Sequence, residues 1–369
     1  MSNSGIIAIT MPKWGLSMLE GKVMEWLVEE GTELKLGDPI MDIETEKIAN
    51  TFEALDAGTL RRKVADPDDI LPIGALLGVL APAAVDDTTV DAFIADFQAN
   101  YVPPEPEDEE AGDGYAFIEA GGYKLRYSKM GEGEENVILI HGFGGDADRW
   151  LFTQQPLAEK ASVYAFDMPG HGQSTKAVAD PSVAGLANVV IAFMDGAGVA
   201  KARLIGHSLG GAIALRTALD HPDRVTAIDL IAPAGLGAEI NAEYIAGFVA
   251  ADSRKTMKPL LQQLVADPEL VNRQLVNDML AYKRIDGVPE ALGAIADGFV
   301  GNGSQNGVMR DDLANVSQPV QVIWGSADQI IPASHAEGLS ENARVTVLEG
   351  FGHLVQLEAA AEVNALLGA

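Results

Sequence analysis

Apolar positions in the first part of the chain fall in short alternating or β-rich runs, at 6–10, 22–28, 40–43, 51–54, 59–64 and 76–80. Turn residues separate them, at Gly15, Gly31, Gly37-Asp38-Pro39, Asp56-Ala57-Gly58 and Asp66-Pro67-Asp68. A period of two interrupted by such breakers predicts strands and tight turns, and hence a small all-β sandwich or flattened barrel over 1–80. From Tyr115 the pattern changes. Apolar runs at 137–140, 162–166, 203–205 and 320–324 alternate with helical spacing such as that of 212–219. That alternation predicts an α/β fold with a mainly parallel sheet over 115–369. Between the two, Val90, Phe93, Ile94, Phe97 and Tyr101 recur at helical spacing. They predict a short amphipathic helix that packs on a neighbouring domain or docks a partner subunit.

Composition narrows the picture. The 369 residues include no cysteine, which excludes disulfides, thiolate nucleophiles and cysteine metal sites, so thiol chemistry must come from a cofactor. The six histidines lack paired ligand spacing, and no metal is expected. A net charge of −29 argues against nucleic acid or an anionic membrane surface as partner. Without a signal peptide or an apolar run long enough to span a bilayer, the expected location is cytoplasmic. Residues 83–114 hold ten acidic residues and no Lys or Arg, with prolines at 103, 104 and 106. This reads as an extended acidic linker over 81–114, with a flexible reach of roughly 30 Å.

Lys47 lies in Ile43-Glu44-Thr45-Glu46-Lys47-Ile48-Ala49, between a strand ending near Glu44 and one beginning near Ile48. A hairpin tip gives an attached arm room to swing. The run from Met11 to Gly21, with Trp26, Glu30-Gly31, Gly37-Asp38 and 43–47, resembles the lipoyl domains of 2-oxo-acid dehydrogenase complexes. The resemblance covers the whole of 1–80 and implies covalent lipoate on Lys47. It departs from the usual pattern in having Glu46 and Ile48 where Asp and Ala are common. The structurally similar biotinyl domains flank their lysine with methionines, which are missing here.

In the second region, Arg203-Leu204-Ile205 leads into Gly206-His207-Ser208-Leu209-Gly210 and then a helical run. Strand, tight turn and helix would expose Ser208, with glycines where larger side chains would clash. G-x-S-x-G alone is weak in a chain with 39 glycines. Its partners strengthen it: Asp328 follows a late strand, and His353 precedes the last helical segment. In that reading His353 takes the serine proton and Asp328 orients and stabilises the imidazole. The backbone N–H groups of Phe143 and Leu209 would hold the oxyanion. Asp229 is the reserve acid, though it sits within a strand, and His207 is expected to line the pocket. These motifs make 115–369 resemble the α/β-hydrolase family, with a helical cap over about 234–312. The stretch Gly142 to Ala147 followed by Asp167 also outlines a dinucleotide fingerprint, but it leaves the other motifs unexplained.

A lipoyl domain delivers acyl thioesters and a serine site attacks acyl carbonyls, so the second domain is expected to unload the first. The chain has no Asp-Gly preceded by histidine at the spacing of the usual 2-oxo-acid complex acyltransferases. Its architecture resembles instead the dihydrolipoyl acetyltransferase components of bacterial acetoin dehydrogenase complexes. That resemblance implies transfer of acetyl from the arm on Lys47 to coenzyme A, in a multi-enzyme complex. Its partners would be a thiamine-diphosphate-dependent acetoin-cleaving component and a dihydrolipoyl dehydrogenase. Attack by Ser208 would form an acyl-enzyme; direct thiol-to-thiol transfer with His353 as base is the other route. Arg254, Lys255 and Lys258 form the clearest basic cluster, within the expected cap, and are candidates for the coenzyme A phosphates. The rival reading is a serine hydrolase, an esterase or carbon–carbon bond hydrolase, carrying a lipoyl domain for localisation.

Overall fold

The structure is a computed structural model and describes residues 5–12, 18, 20–45, 49–103 and 114–369. It divides into two units, Met1–Gly114 and Tyr115–Ala369.

The first unit contains β1 (Ile7–Thr10), β2 (Glu20–Trp26), β3 (Glu33–Leu34), β4 (Pro39–Glu44), β5 (Ala49–Glu53), β6 (Gly58–Lys63), β7 (Ile70–Pro72) and β8 (Leu76–Leu80). They form two four-stranded sheets, in the orders β1-β8-β6-β3 and β5-β4-β2-β7. Alternation turns Val23, Ile43, Leu60 and Leu77 inward, where each is fully buried in a shared core. In the β4–β5 hairpin Glu44 pairs with Ala49, so the connection between the strands includes Lys47. Lys47 itself lies outside the described residues, as do its neighbours Glu46 and Ile48.

The helix expected from the spacing of Val90 to Tyr101 is α1 (Asp87–Asn100). Asp86 caps it by accepting the Thr89 N–H, and the negative Asp87 suits its first turn. Val90 is fully buried against Leu76, Val79 and Ala81. Arg61 pairs with Asp87 and Arg62 with Asp91, while the Tyr101 hydroxyl donates to the Ile73 carbonyl at 2.6 Å. This part of the segment read as linker thus packs on the β-sandwich, because its apolar face finds a partner there. The acidic stretch 104–113 lies outside the described residues.

The second unit opens with β9 (Ala116–Ala120), β10 (Tyr123–Met130) and β11 (Asn136–Ile140), followed by α2 (Leu151–Ala158) and β12 (Ser162–Phe166). Next come α3 (Val183–Gly196), β13 (Ala202–His207), α4 (Leu209–Asp220) and β14 (Val225–Ile231). After a helical excursion of α5 (Ala242–Ala250), α6 (Arg254–Leu261), α7 (Arg273–Lys283) and α8 (Val288–Phe299) comes a small ribbon, β15 (Val300–Gly301) with β16 (Ser304–Gln305). The chain closes with β17 (Val320–Gly325), β18 (Ala343–Leu348), α9 (Val355–Glu358) and α10 (Ala360–Leu367).

The main sheet runs β18-β17-β14-β13-β11-β12-β10-β9 and is parallel from β18 to β12. Strands β12 and β17 are buried along their whole length. The cause is helices on both faces: residues of α3 and α4 enter one core, those of α2, α9 and α10 the other. Connections on the carboxyl side of such a sheet are where ligands bind. The excursion between β14 and β17 forms the cap. Its α5 ends on carbonyls of Phe248, Val249 and Ala251, which accept from the buried Lys283 ammonium at the end of α7. That cross-link satisfies carbonyls at the end of α5 that the helix's own hydrogen bonds leave open.

Candidate active site

Ser208 sits between β13 and α4 with φ 54° and ψ −119°, a conformation rare outside glycine. Such a residue costs about 1–3 kcal/mol and persists only where its surroundings impose it. The surroundings are backbone. A Cβ on Gly206 would lie 2.2 Å from the Gly210 carbonyl oxygen, and one on Gly210 would lie 2.1 Å from that of Ile140. From the other side, the Ala234 N–H donates to the Ser208 carbonyl at 2.9 Å, so the Ala232–Ala234 turn after β14 clasps the serine turn.

His353 follows β18 and lines the same cleft as Ser208. Its Nδ1 lies 2.7 Å from Asp328 Oδ2, and both side chains are buried. Asp328 also accepts from the N–H groups of Ile330 (2.8 Å) and Ile331 (3.0 Å) and from Trp324 Nε1 (3.0 Å). Every partner donates, an arrangement that suits a carboxylate and fixes His353 with Nε2 free for the cleft. Ser208, Asp328 and His353, expected to act together, are therefore brought to one place. The reserve acid Asp229 is committed elsewhere: it pairs with Arg203 at 2.6 Å and accepts from Gln321.

The loop after β11 forms the opposite wall. Among the described residues neither the Phe143 nor the Leu209 N–H is hydrogen-bonded, whereas Ser208, Gly144 and Gly145 each donate to a named acceptor. Two histidines hold this loop. His141 Nε2 accepts the Met168 N–H at 2.9 Å while its Nδ1 donates to the Gly142 carbonyl. His171 Nε2 accepts the Gly144 N–H at 3.1 Å while its Nδ1 donates to Pro169. Burial pushes His141 down to about 4 and His171 to about 3, so both stay neutral at neutral pH. His207, also buried and held well below the ordinary range, donates from Nε2 to the His353 carbonyl and lines the cleft. The outline of a dinucleotide site dissolves here, because Asp167 is fully buried, paired with Arg126 and bonded to the Ala147 and Gln173 N–H groups.

A stability prediction follows. The folded values of His141 and His171 lie below the ordinary 6.5, so the unfolded chain binds more protons and stability must fall as pH drops from about 6.5 towards 4. At pH 4.5 the loss is on the order of 2–3 kcal/mol for each histidine. Urea unfolding at pH 7.0 and 4.5 measures it. His171→Gln, whose amide oxygen can still accept the Gly144 N–H, should flatten the dependence; an unchanged slope would remove the assignment.

The cleft has an empty volume of about 490 Å³, part of it open to solvent. Cap residues Tyr244, Ile245, Phe248, Leu261, Leu264 and Met279 supply most of its apolar wall. Arg254, Lys255 and Lys258 lie on the exposed side of α6, opposite the buried Met257 and Leu261, and none of them lines the cleft. Besides His171, two contributors were missed in the sequence. Glu358 accepts from the N–H groups of Gly352 and Ala266, tying the His353 loop to the cap, and Arg149 enters the cleft beside the oxyanion loop. Arg149 was open to notice as the one cation shortly after His141-Gly142; Glu358 carried no local signal.

Comparison with known proteins agrees with the two-part fold. The alpha/beta hydrolase fold family matches residues 135–360, and the family described as biotin-requiring enzyme matches 7–80. A dihydrolipoyllysine-residue acetyltransferase component of an acetoin cleaving system from Cupriavidus necator is 49% identical over 98% of this chain and 96% of its own. Its counterpart from Pseudomonas putida is 46% identical over 98% and 97%. The chain belongs to this acetyltransferase family. Solved structures similar to its second unit include a meta-cleavage product hydrolase variant, with TM-score 0.62 and 27% identity over 68% of this chain and 96% of that one. An N-acyl homoserine lactone degrading enzyme aligns with TM-score 0.57 and 26% identity, over 69% of this chain and 99% of its own. An acetyltransferase of the acetoin system is thus built on a fold shared with hydrolases. Among the described residues no helix is long and apolar enough to cross a membrane.

Proposed function

We propose that this acetyltransferase carries lipoate on Lys47 and passes the arm's acetyl group to coenzyme A through an acyl-enzyme on Ser208. The observation that carries this reading is a strained, cleft-facing serine beside a histidine anchored by a buried carboxylate, in a chain of this family. Ser208 Oγ attacks the thioester carbonyl as His353 Nε2 takes its proton, and Asp328 stabilises the imidazolium. The Phe143 and Leu209 N–H groups receive the oxyanion. The thiol of coenzyme A then gives its proton to His353 and attacks the acyl-enzyme. The apolar cap wall keeps water from competing. The exposed basic face of α6 is the candidate for the coenzyme phosphates. In the acetoin system a thiamine-diphosphate-dependent component would load the arm and a dihydrolipoyl dehydrogenase would reoxidise it, in the cytoplasm.

Product analysis with acetyl-dihydrolipoamide tests this. Acetyl-coenzyme A should form with little free acetate when coenzyme A is present. Acetate at the same rate with or without coenzyme A would make the second unit a hydrolase, as the similar meta-cleavage product hydrolase is named.

A further inference from the structure

Among the described residues, Arg149 is the one side chain lining the cleft that carries a permanent charge. It follows the oxyanion loop in the short helical turn Ala147–Trp150, and its stem packs against Gly145, whose Cβ position lies 3.3 Å from Arg149 Cγ. The residue is partly buried, and its guanidinium has no hydrogen bond or ion pair among the described residues. Its positive charge helps hold down His207 and His141 and is felt by Tyr244 and Asp146, yet Asp146 makes no ion pair with it. A partly buried cation without a fixed partner, facing a cleft whose other walls are neutral, is a receptive place for a negative charge.

Resting on the acetyltransferase reading, we infer that Arg149 receives the reacting sulfur as a thiolate, first the departing dihydrolipoyl sulfur and then the attacking sulfur of coenzyme A. A cysteine thiol ionises at about pH 8.5 and a plain alkyl thiol somewhat higher, and a neighbouring arginine lowers such a value. An alkoxide is far more basic and must be protonated as it leaves, so a fixed cation favours thioester substrates over ordinary esters. The phosphates of the coenzyme are separated from its thiol by the pantetheine arm. A group lining the same cleft as Ser208 therefore addresses the sulfur end.

The steps balance. Ser208 Oγ bonds to the carbonyl carbon and its proton goes to His353 Nε2. The carbon–sulfur bond breaks and sulfur keeps the electron pair beside Arg149, then takes the proton from His353 as it departs. In the second half the coenzyme thiol gives its proton to His353 and its sulfur, steadied by Arg149, bonds to the carbonyl carbon. The carbon–oxygen bond to Ser208 breaks and the serine oxygen recovers the proton.

The test compares full-length wild type with Arg149→Met and Arg149→Lys on three acetyl donors: acetyl-dihydrolipoamide, S-phenyl thioacetate and 4-nitrophenyl acetate. Arg149→Met should lose about 10²-fold in kcat/KM with the alkyl thioester, comparable to removing one oxyanion donor, and much less with the two donors whose leaving groups are weakly basic. Arg149→Lys should fall between. The same loss on all three donors would assign Arg149 to the oxyanion or to structure, and no loss on any would place it outside the reaction. Failure of the transferase reading looks different, because wild type itself would then release acetate whether or not coenzyme A is present.

Discussion

Ser208→Ala is expected to lower acetyl transfer by about 10⁴-fold or more while leaving the second unit folded. Alanine can occupy the turn as well as serine does, because the strain at φ 54° is imposed by the backbone packing of Gly206 and Gly210 and not by the hydroxyl. What disappears is the cleft-lining hydroxyl proposed to carry the acyl group between thiols. The anchored His353–Asp328 pair and the free Phe143 and Leu209 N–H groups remain, so residual binding and carbonyl polarisation remain with them. Acetyl-coenzyme A formation, read beside an unchanged unfolding midpoint, decides the matter. If the variant kept a tenth or more of the rate, the thiols would exchange directly with His353 as base, and the acyl-enzyme would be wrong.

The residues of that experiment were legible in the chain because each is set by local chemistry. A strand that must turn at once into a helix leaves room only for glycine on either side of the nucleophile, and the 2.2 Å and 2.1 Å approaches at Gly206 and Gly210 show the steric origin of the motif. The long strands of the first unit were legible through alternation, whereas β3 and β7, of two and three residues, are too short to alternate. The individual cap helices were not resolved either, since Pro259 falls inside α6 and Pro289 at the start of α8, and their apolar positions serve two neighbours at once. Glu358 and His171 were invisible for another reason. Their work is to meet Ala266 and Gly144, 92 and 27 residues away, and no spacing along the chain encodes such meetings. The helix α1 shows the limit from the other side: its spacing revealed an apolar face, but only the structure shows that β8 and its neighbours cover that face.

Lys47→Arg should abolish acetyl flux from the acetoin-cleaving component to coenzyme A while sparing turnover of free acetyl-dihydrolipoamide by the second unit. Arginine keeps the charge but offers no amine for the lipoyl amide, so the carrier goes missing with little change to the sandwich. The size of the effect comes from covalent fusion. An arm tied to the chain that holds Ser208 meets it at an effective concentration of order mM. Free dihydrolipoamide supplied at micromolar levels should therefore recover only about 10⁻² to 10⁻³ of the flux. Intact mass of the purified chain reports whether the arm is attached, and acetyl-coenzyme A formation in a reconstituted system reports the flux. Full flux through the arginine variant would mean that another lysine bears the arm or that none is used. Loss of both activities would point instead to damage reaching the second unit. Loss of the first alone would establish that the two halves of this chain are joined because one hands its cargo to the other.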